Sequence, residues 1–173
     1  MSRAPNPDLS MRPMLPEDVP LLAEIFRASV EELTGEDYSD NQIEAWMSAA
    51  DDEAAFGKAL GAQLTLIAMI EGAPVGFASL KNNELVDMLY VHPAVVGQGA
   101  ATMLVDALER LATARGAAKL VVNASDTAHD FFKRRGYVPK SRNTITRGDE
   151  WLANTMMEKP LGDGKAGERE TLQ

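Results

Sequence analysis

The sequence predicts a single α+β domain: helices first, then an antiparallel run of strands, then one strand–helix–strand crossover and a closing hairpin. Three observations carry this. Apolar residues recur at helical spacing from Val19 to Leu60. From Leu64 to His92 they switch to short apolar runs joined by the tight turns "EGAP" and "KNN". A further helical pattern after His92 then leads into the buried run "AKLVVNA", which makes one strand–helix–strand crossover.

Each element follows from local chemistry. After Pro16, residues Val19, Leu22, Ile25, Phe26, Val30 and Leu33 share one helical face, and Gly35 closes the run. Ser39 and Gln42 form a capping box that opens a second helix, with Ile43, Trp46, Met47 and Ala50 on one face. A short helix follows from Asp52 to Leu60. The strands are expected over Leu64–Ile70, Val75–Leu80 and Glu84–His92. A helix from Gly99 to Arg115 turns Leu104, Ala107, Leu108 and Leu111 inward, and Gly116 ends it. Another helix is expected from Ser125 to Arg135, closed by Gly136, before two strands around the turn Arg147-Gly148-Asp149. Residues 1–10, with Pro5 and Pro7, read as a flexible extension, and residues 161–173, Gly-rich and charged, as a flexible tail. The domain is therefore placed at residues 11–160.

Composition removes several classes of function. The chain has no cysteine, which excludes disulfides and a thiolate nucleophile. His92 and His129 lie far apart in no ligand spacing, so no metal site is expected. A net charge of −9 disfavours nucleic acid as a partner. No apolar run reaches membrane-spanning length and the N-terminus lacks the apolar core of a secretory signal. The default expectation is a soluble cytoplasmic protein; a homodimer is left open. The tail sequence "GDGK" lacks the upstream glycine and the Ser/Thr of a phosphate loop.

The stretch "YVHPAVVGQGAATML" (Tyr90–Leu104) is the most informative. It ends a strand, spends Gly97 and Gly99 within three residues, and opens a helix. The first N–H groups of a helix lack partners and its dipole favours anions, while glycine lets a phosphate approach the backbone. A dinucleotide fold is the rival ligand class, but Thr102 stands where its third glycine belongs and the flanking strands read as hairpins. Asp126, after the next strand, is the one feature in its favour.

In this loop, and in the ordered segments "MRPMLPEDVPLLAEIFRA", "GAPVGFASL" and "FFKRRGYV", the chain resembles the GNAT superfamily of N-acetyltransferases, over nearly all of Met11–Pro160. Val96 departs from that family's loop, which opens on Gln or Arg. The resemblance implies a central, mostly antiparallel sheet with one splayed parallel pair and helices on both faces. It also implies transfer of an acetyl group from acetyl-CoA to an amine, small-molecule or protein, by direct attack in a ternary complex. The strand residues Leu89, Tyr90 and Val91 would pair with the pantetheine arm, and a bulge and splay of the parallel strands would open the groove for it. Residues Val96, Gly97, Gln98, Gly99, Ala100, Ala101 and Thr102 would hold the pyrophosphate. Ser125 would hydrogen-bond the cofactor or cap its helix. Phe132 stands where the family often carries the tyrosine that protonates the leaving thiolate. Lys133, Arg134 and Arg135 would meet the ribose phosphate or form a solvated basic helix end.

Asp87, a carboxylate inside an apolar strand and nominally on the face of Leu89, is the candidate base, with Glu84 as the alternative. Tyr137 is a minor candidate acid. The acceptor is expected near Glu31, Glu32, Glu36, Asp37 and Tyr38, with Trp46 and Trp151 as aromatic walls. Gly99 is expected to face the ligand, so that Gly99→Val would crowd the phosphate and leave the core alone. A module that binds acetyl-CoA without turnover is the alternative function, prompted by Phe132.

Overall fold

The structure, a computed structural model, describes residues 5–162. In chain order its elements are β1 (Leu9–Pro13), α1 (Val19–Leu33), α2 (Asp40–Met47), α3 (Glu53–Gly61), β2 (Leu64–Ile70), β3 (Ala73–Lys81), β4 (Leu85–Val91), α4 (Ala100–Ala114), β5 (Lys119–Ser125), α5 (His129–Arg134), β6 (Val138–Arg147) and β7 (Glu150–Pro160). The strands form one seven-stranded sheet in the order β1-β2-β3-β4-β5-β7-β6. Every neighbouring pair is antiparallel except β4 and β5.

The strand alternation read from sequence sorts the core into two layers. On β2, Leu66 and Ala68 join the layer under α4 and α5, whereas Ile67 and Met69 join the layer under α1, α2 and α3. Helices therefore cover both faces. The β2–β3 and β3–β4 turns each place two residues at positive φ, Glu71 and Gly72 in the first, Asn82 and Asn83 in the second. That geometry matches the right-handed twist of the paired strands. The predicted capping box is present: Ser39 Oγ accepts from Gln42 N at 3.2 Å, and Gln42 Oε1 accepts from Ser39 N at 2.9 Å. Among the described residues no helix is long and apolar enough to cross a membrane.

The structure departs from expectation in three places. Strand β1 begins at Leu9, inside the stretch read as a loose extension, and its Leu9–Pro13 backbone pairs with Ile70–Leu66. Prolines hid it: Pro5 and Pro7 precede the strand, and Pro13 ends it on the sheet edge, where a missing N–H costs little. Helix α5 starts at His129, and Ser125 belongs to β5. Ser125 Oγ accepts from Ala128 N at 3.1 Å, closing a turn that delays the helix. Residues Leu161 and Gly162 of the expected tail are placed, with Leu161 N donating to Ala118 O at 2.8 Å. Residues 1–4 and 163–173 lie outside the described residues.

Candidate active site

Strands β4 and β5 pair only at Leu85–Val121 and Val86–Val122, helped by the Val121 N–H donating to Glu84 O at 2.8 Å. Beyond that point they separate. The ladder between β3 and β4 also slips there: Ser79 faces Met88 and Leu80 faces Val86, which leaves Asp87 as the extra residue of a bulge. The bulge breaks the period of two. Val86, Leu89 and Val91 belong to the α4 layer, and Met88 and Tyr90 to the α1 layer. The parity that put Asp87 on the face of Leu89 therefore does not hold across the bulge.

The separation opens a groove of about 940 Å³. Its walls are Val86, Asp87, Leu89, Tyr90 and Val91 from β4, and Val122 to Ser125 from β5. Phe131, Phe132, Arg134 and Arg135 line one flank, and Ser29, Val30, Leu33, Thr34 and Trp46 line the opposite one. Val95, Val96, Gly97, Gly99, Ala100, Ala101 and Thr102 close the end at α4.

That end is backbone chemistry. His92 Nδ1 accepts from Ala94 N at 3.1 Å, making His92 a turn residue. Gly97 and Gly99 have φ of +82° and +96°, a region that L side chains rarely occupy. Helix α4 makes its first backbone bond from Met103 N to Gly99 O, so the N–H groups of Ala100, Ala101 and Thr102 have no intrahelical acceptor. A Cβ at Gly97 would meet nothing within 4 Å. At Gly99 it would meet Pro5 Cβ at 3.1 Å and Leu9 Cδ1 at 3.6 Å. Gly99→Val would thus strain the loop against the N-terminal segment, so the expectation that it crowds only the ligand is corrected. Gln98 is a second correction. It does not line the groove; its Oε1 accepts from Asn6 Nδ2 at 2.7 Å.

Of the three catalytic candidates, only Asp87 lines the groove. Its Oδ2 accepts from Gln63 Nε2 at 2.9 Å, and among the described residues Oδ1 has no donor. Glu84 precedes the paired end of β4 and β5, where the strands are closed together, and does not reach the groove. Tyr137 is 1 % exposed in the core and its hydroxyl donates to Glu109 Oε2 at 3.0 Å. Burial and the adjacent Glu109 carboxylate push its pKa well above the ordinary phenol value. Tyr137 is a core residue. Phe132, 2 % exposed, borders the groove with one ring edge set against Phe131 and Tyr137.

Around the flank near α1, Trp46 Nε1 donates to Tyr90 Oη at 3.2 Å, a bond between residues 44 apart in sequence. Burial raises the Tyr90 hydroxyl to about 12; the Trp46 bond opposes the shift and the Asp87 charge adds to it. Tyr38 Oη donates to Ala153 O at 2.7 Å and accepts from Asp126 N at 2.9 Å. Asp37 Oδ2 accepts from Thr127 Oγ1 at 2.8 Å. The α1–α2 connection is thereby tied to the β5–α5 turn. Glu31, Glu32 and Glu36 are exposed and do not line the groove, and neither does Trp151. Asp126, the feature that favoured a dinucleotide, forms a two-bond pair with Arg142 at 2.8 and 2.9 Å, and the guanidinium holds its carboxyl below the usual range. Arg134 and Arg135 line the groove, with Arg135 paired to Asp106 and Glu109, and Lys133 is not part of the lining. Sequence reasoning missed Gln63, Thr34 and the Trp46–Tyr90 bond. Trp46 lay on a predicted apolar face, but no local signal names its partner.

The sheet is thus split at its one parallel pair, with a glycine-opened helix at the end of the split. Residues 34–161 match the family described as the acetyltransferase (GNAT) domain, and the chain belongs to this family of N-acetyltransferases. It is 31 % identical over 150 residues to the uncharacterised N-acetyltransferase YafP of Escherichia coli K12, covering 87 % of this chain and 95 % of that protein. It is 57 % identical to a protein of known crystal structure from Rhodopseudomonas palustris, described as a GCN5-related N-acetyltransferase, aminotransferase class-II. That match has a TM-score of 0.88 and covers 93 % of this chain and 98 % of the other. The same fold, at 19 % identity and a TM-score of 0.71, occurs in the PaiA N-acetyltransferase of Thermoplasma acidophilum, solved with coenzyme A, over 88 % of this chain and 98 % of that one.

Proposed function

We propose that the protein transfers an acetyl group from acetyl-CoA to an amine by direct attack, with both substrates bound in the groove between β4 and β5. The observation that carries this reading is the split itself, with, among the described residues, unpartnered helix N–H groups at one end and a single lining carboxylate, Asp87, further along. The residues fit the ligand. Gly97 leaves room for a phosphate, and among the described residues the N–H groups of Ala100, Ala101 and Thr102 lack acceptors and the β5-facing edge of β4 beyond Val86 has no strand partner. The coenzyme A bound by the PaiA relative supports the same assignment.

In this reading the loop and the start of α4 hold the pyrophosphate, and Leu89, Tyr90 and Val91 offer backbone to the pantetheine arm. The amine enters beside Trp46, Tyr90 and Thr34. Its nitrogen attacks the thioester carbonyl, a C–N bond forms and the C–S bond breaks. Oδ1 of Asp87, the oxygen that Gln63 leaves open, takes the proton from nitrogen, directly or through water. Phe132 has no hydroxyl, so the departing thiolate takes its proton from water. Calorimetry with acetyl-CoA, followed by an amine panel monitored for free thiol, tests the proposal. We expect binding and thiol release with at least one amine; no binding at millimolar acetyl-CoA overturns it. Phe132 also motivates a second reading, an acetyl-CoA-binding module without turnover. Tight binding with no thiol released across the panel favours that reading, and turnover on any amine removes it.

A further inference from the structure

We infer that the N-terminal segment Pro5–Leu9 is a strap that sets the conformation of the glycine loop, with Asn6 and Gln98 as its positioning residues. The inference rests on the reading that this loop holds the pyrophosphate of acetyl-CoA. Asn6 N donates to Gln98 O at 2.8 Å, and Asn6 Nδ2 donates to Gln98 Oε1 at 2.7 Å. Asn6 also organises its own segment: Oδ1 accepts from Asp8 N at 2.9 Å, and its carbonyl accepts from Leu9 N at 3.1 Å. Leu9 then enters β1, so the strap is anchored in the sheet. At its other end Pro5 lies over Gly99, within 3.2 Å of where a Cβ would stand.

The physical need is clear from the loop. Gly97 and Gly99 flank Gln98, and both adopt positive φ. Two glycines give a loop more backbone freedom than L residues would at the same positions, and ordering it only when the ligand arrives would subtract from affinity. Gln98 is the one non-glycine residue between them, and the strap holds it by main chain and side chain together. That fixes the peptide linking the two glycines before the ligand binds, which is preorganisation. It also explains why the Gln98 side chain turns away from the groove, and why Gly99 must be glycine although it is the strap that lies against it.

The test uses the full chain and three variants: Asn6→Ala, Gln98→Ala and the double variant. Acetyl-CoA affinity is measured by calorimetry, and KM is measured for both acetyl-CoA and S-acetylpantetheine, which carries the thioester arm without a pyrophosphate. Loss of the one side-chain bond predicts about fivefold weaker acetyl-CoA binding in Gln98→Ala, and Asn6→Ala, which also removes the acceptor of Asp8 N, should weaken it at least as much. The double variant should be no weaker than the weaker single one, because the two residues act through one bond. KM for S-acetylpantetheine should not change. Folded variants that bind acetyl-CoA as wild type does, or that lose both thioesters equally, overturn the strap. If wild type itself gains nothing from the pyrophosphate, with acetyl-CoA and S-acetylpantetheine equivalent, the reading of the loop fails first and the strap with it.

Discussion

The two ends of the groove are built from different materials. At the α4 end the unpaired groups are main-chain N–H groups, and their placement depends on two positive-φ glycines and a strap. At the α1 end they are side chains: Trp46 from α2, Tyr90 and Asp87 from β4, Thr34 from the end of α1, with Gln63 behind them. A backbone site recognises a feature common to every polyphosphate ligand. A side-chain site discriminates, because each substituent changes shape, charge and hydrogen bonding at once. In the proposed function this difference separates a shared co-substrate from an individual acceptor.

The largest effect is expected at the side-chain end. If Asp87 takes the amine's proton, Asp87→Asn removes the basicity and keeps the shape, since the amide oxygen can still accept from Gln63 Nε2. Turnover should fall by about 10² to 10⁴. Acetyl-CoA affinity, set at the other end, should stay within about twofold of wild type, as distant sites behave additively. Rapid-quench turnover and calorimetry on the same preparation separate the two. A variant that turns over normally would leave proton removal to water and break the assignment.

The backbone end predicts the opposite split. Gly97→Asp places a carboxylate where a Cβ meets open space, on a residue type that tolerates positive φ better than most. Acetyl-CoA affinity should fall about a hundredfold, roughly 2.8 kcal/mol. Gly97→Asn has nearly the same shape without the charge and should lose only about tenfold. Turnover at saturating acetyl-CoA should change little in either. If Asn and Asp weaken binding equally, the loop does not face an anion.

The same division explains what could be read from sequence. The glycine loop, the capping box at Ser39 and Gln42, and the alternation of β2 are local patterns with local causes, and each appears in the fold as expected. The splay of β4 from β5 followed from the family resemblance. Asp87 was visible as a carboxylate in an apolar strand, and the resemblance implied a bulge, but not that it falls at Asp87, because its place depends on the register of β3 opposite it. The bonds from Trp46 to Tyr90, from Asn6 to Gln98 and from Tyr38 to Ala153 join residues 44, 92 and 115 apart, and no local pattern encodes such partners. Proline content misled at the N-terminus: Pro5 reads as loop, yet it packs on Gly99.

Tyr137 gives the smallest effect and the clearest contrast between the groove and the core behind it. Sequence offered its hydroxyl as an acid for the thiolate, whereas the structure buries it among Glu109, Lys159 and Arg135. Tyr137→Phe removes one hydrogen bond to a carboxylate that keeps Lys159 at 2.8 Å and Arg135 at 3.5 Å. Glu109 is therefore not left unpartnered, and the cost should be about 1 kcal/mol. For a chain of this length that lowers Tm by about 2–4 °C. The raised phenol pKa fixes the sign with pH. The folded state holds the proton more tightly than the unfolded one, so this contribution is fully present below the ordinary phenol pKa and shrinks only at more alkaline pH. Across neutral pH the Tm difference between wild type and Tyr137→Phe should thus be constant, while kcat and both KM values stay as in wild type. An acid acting on the thiolate would behave in reverse, with kcat falling at unchanged Tm, and that result would return Tyr137 to the chemistry.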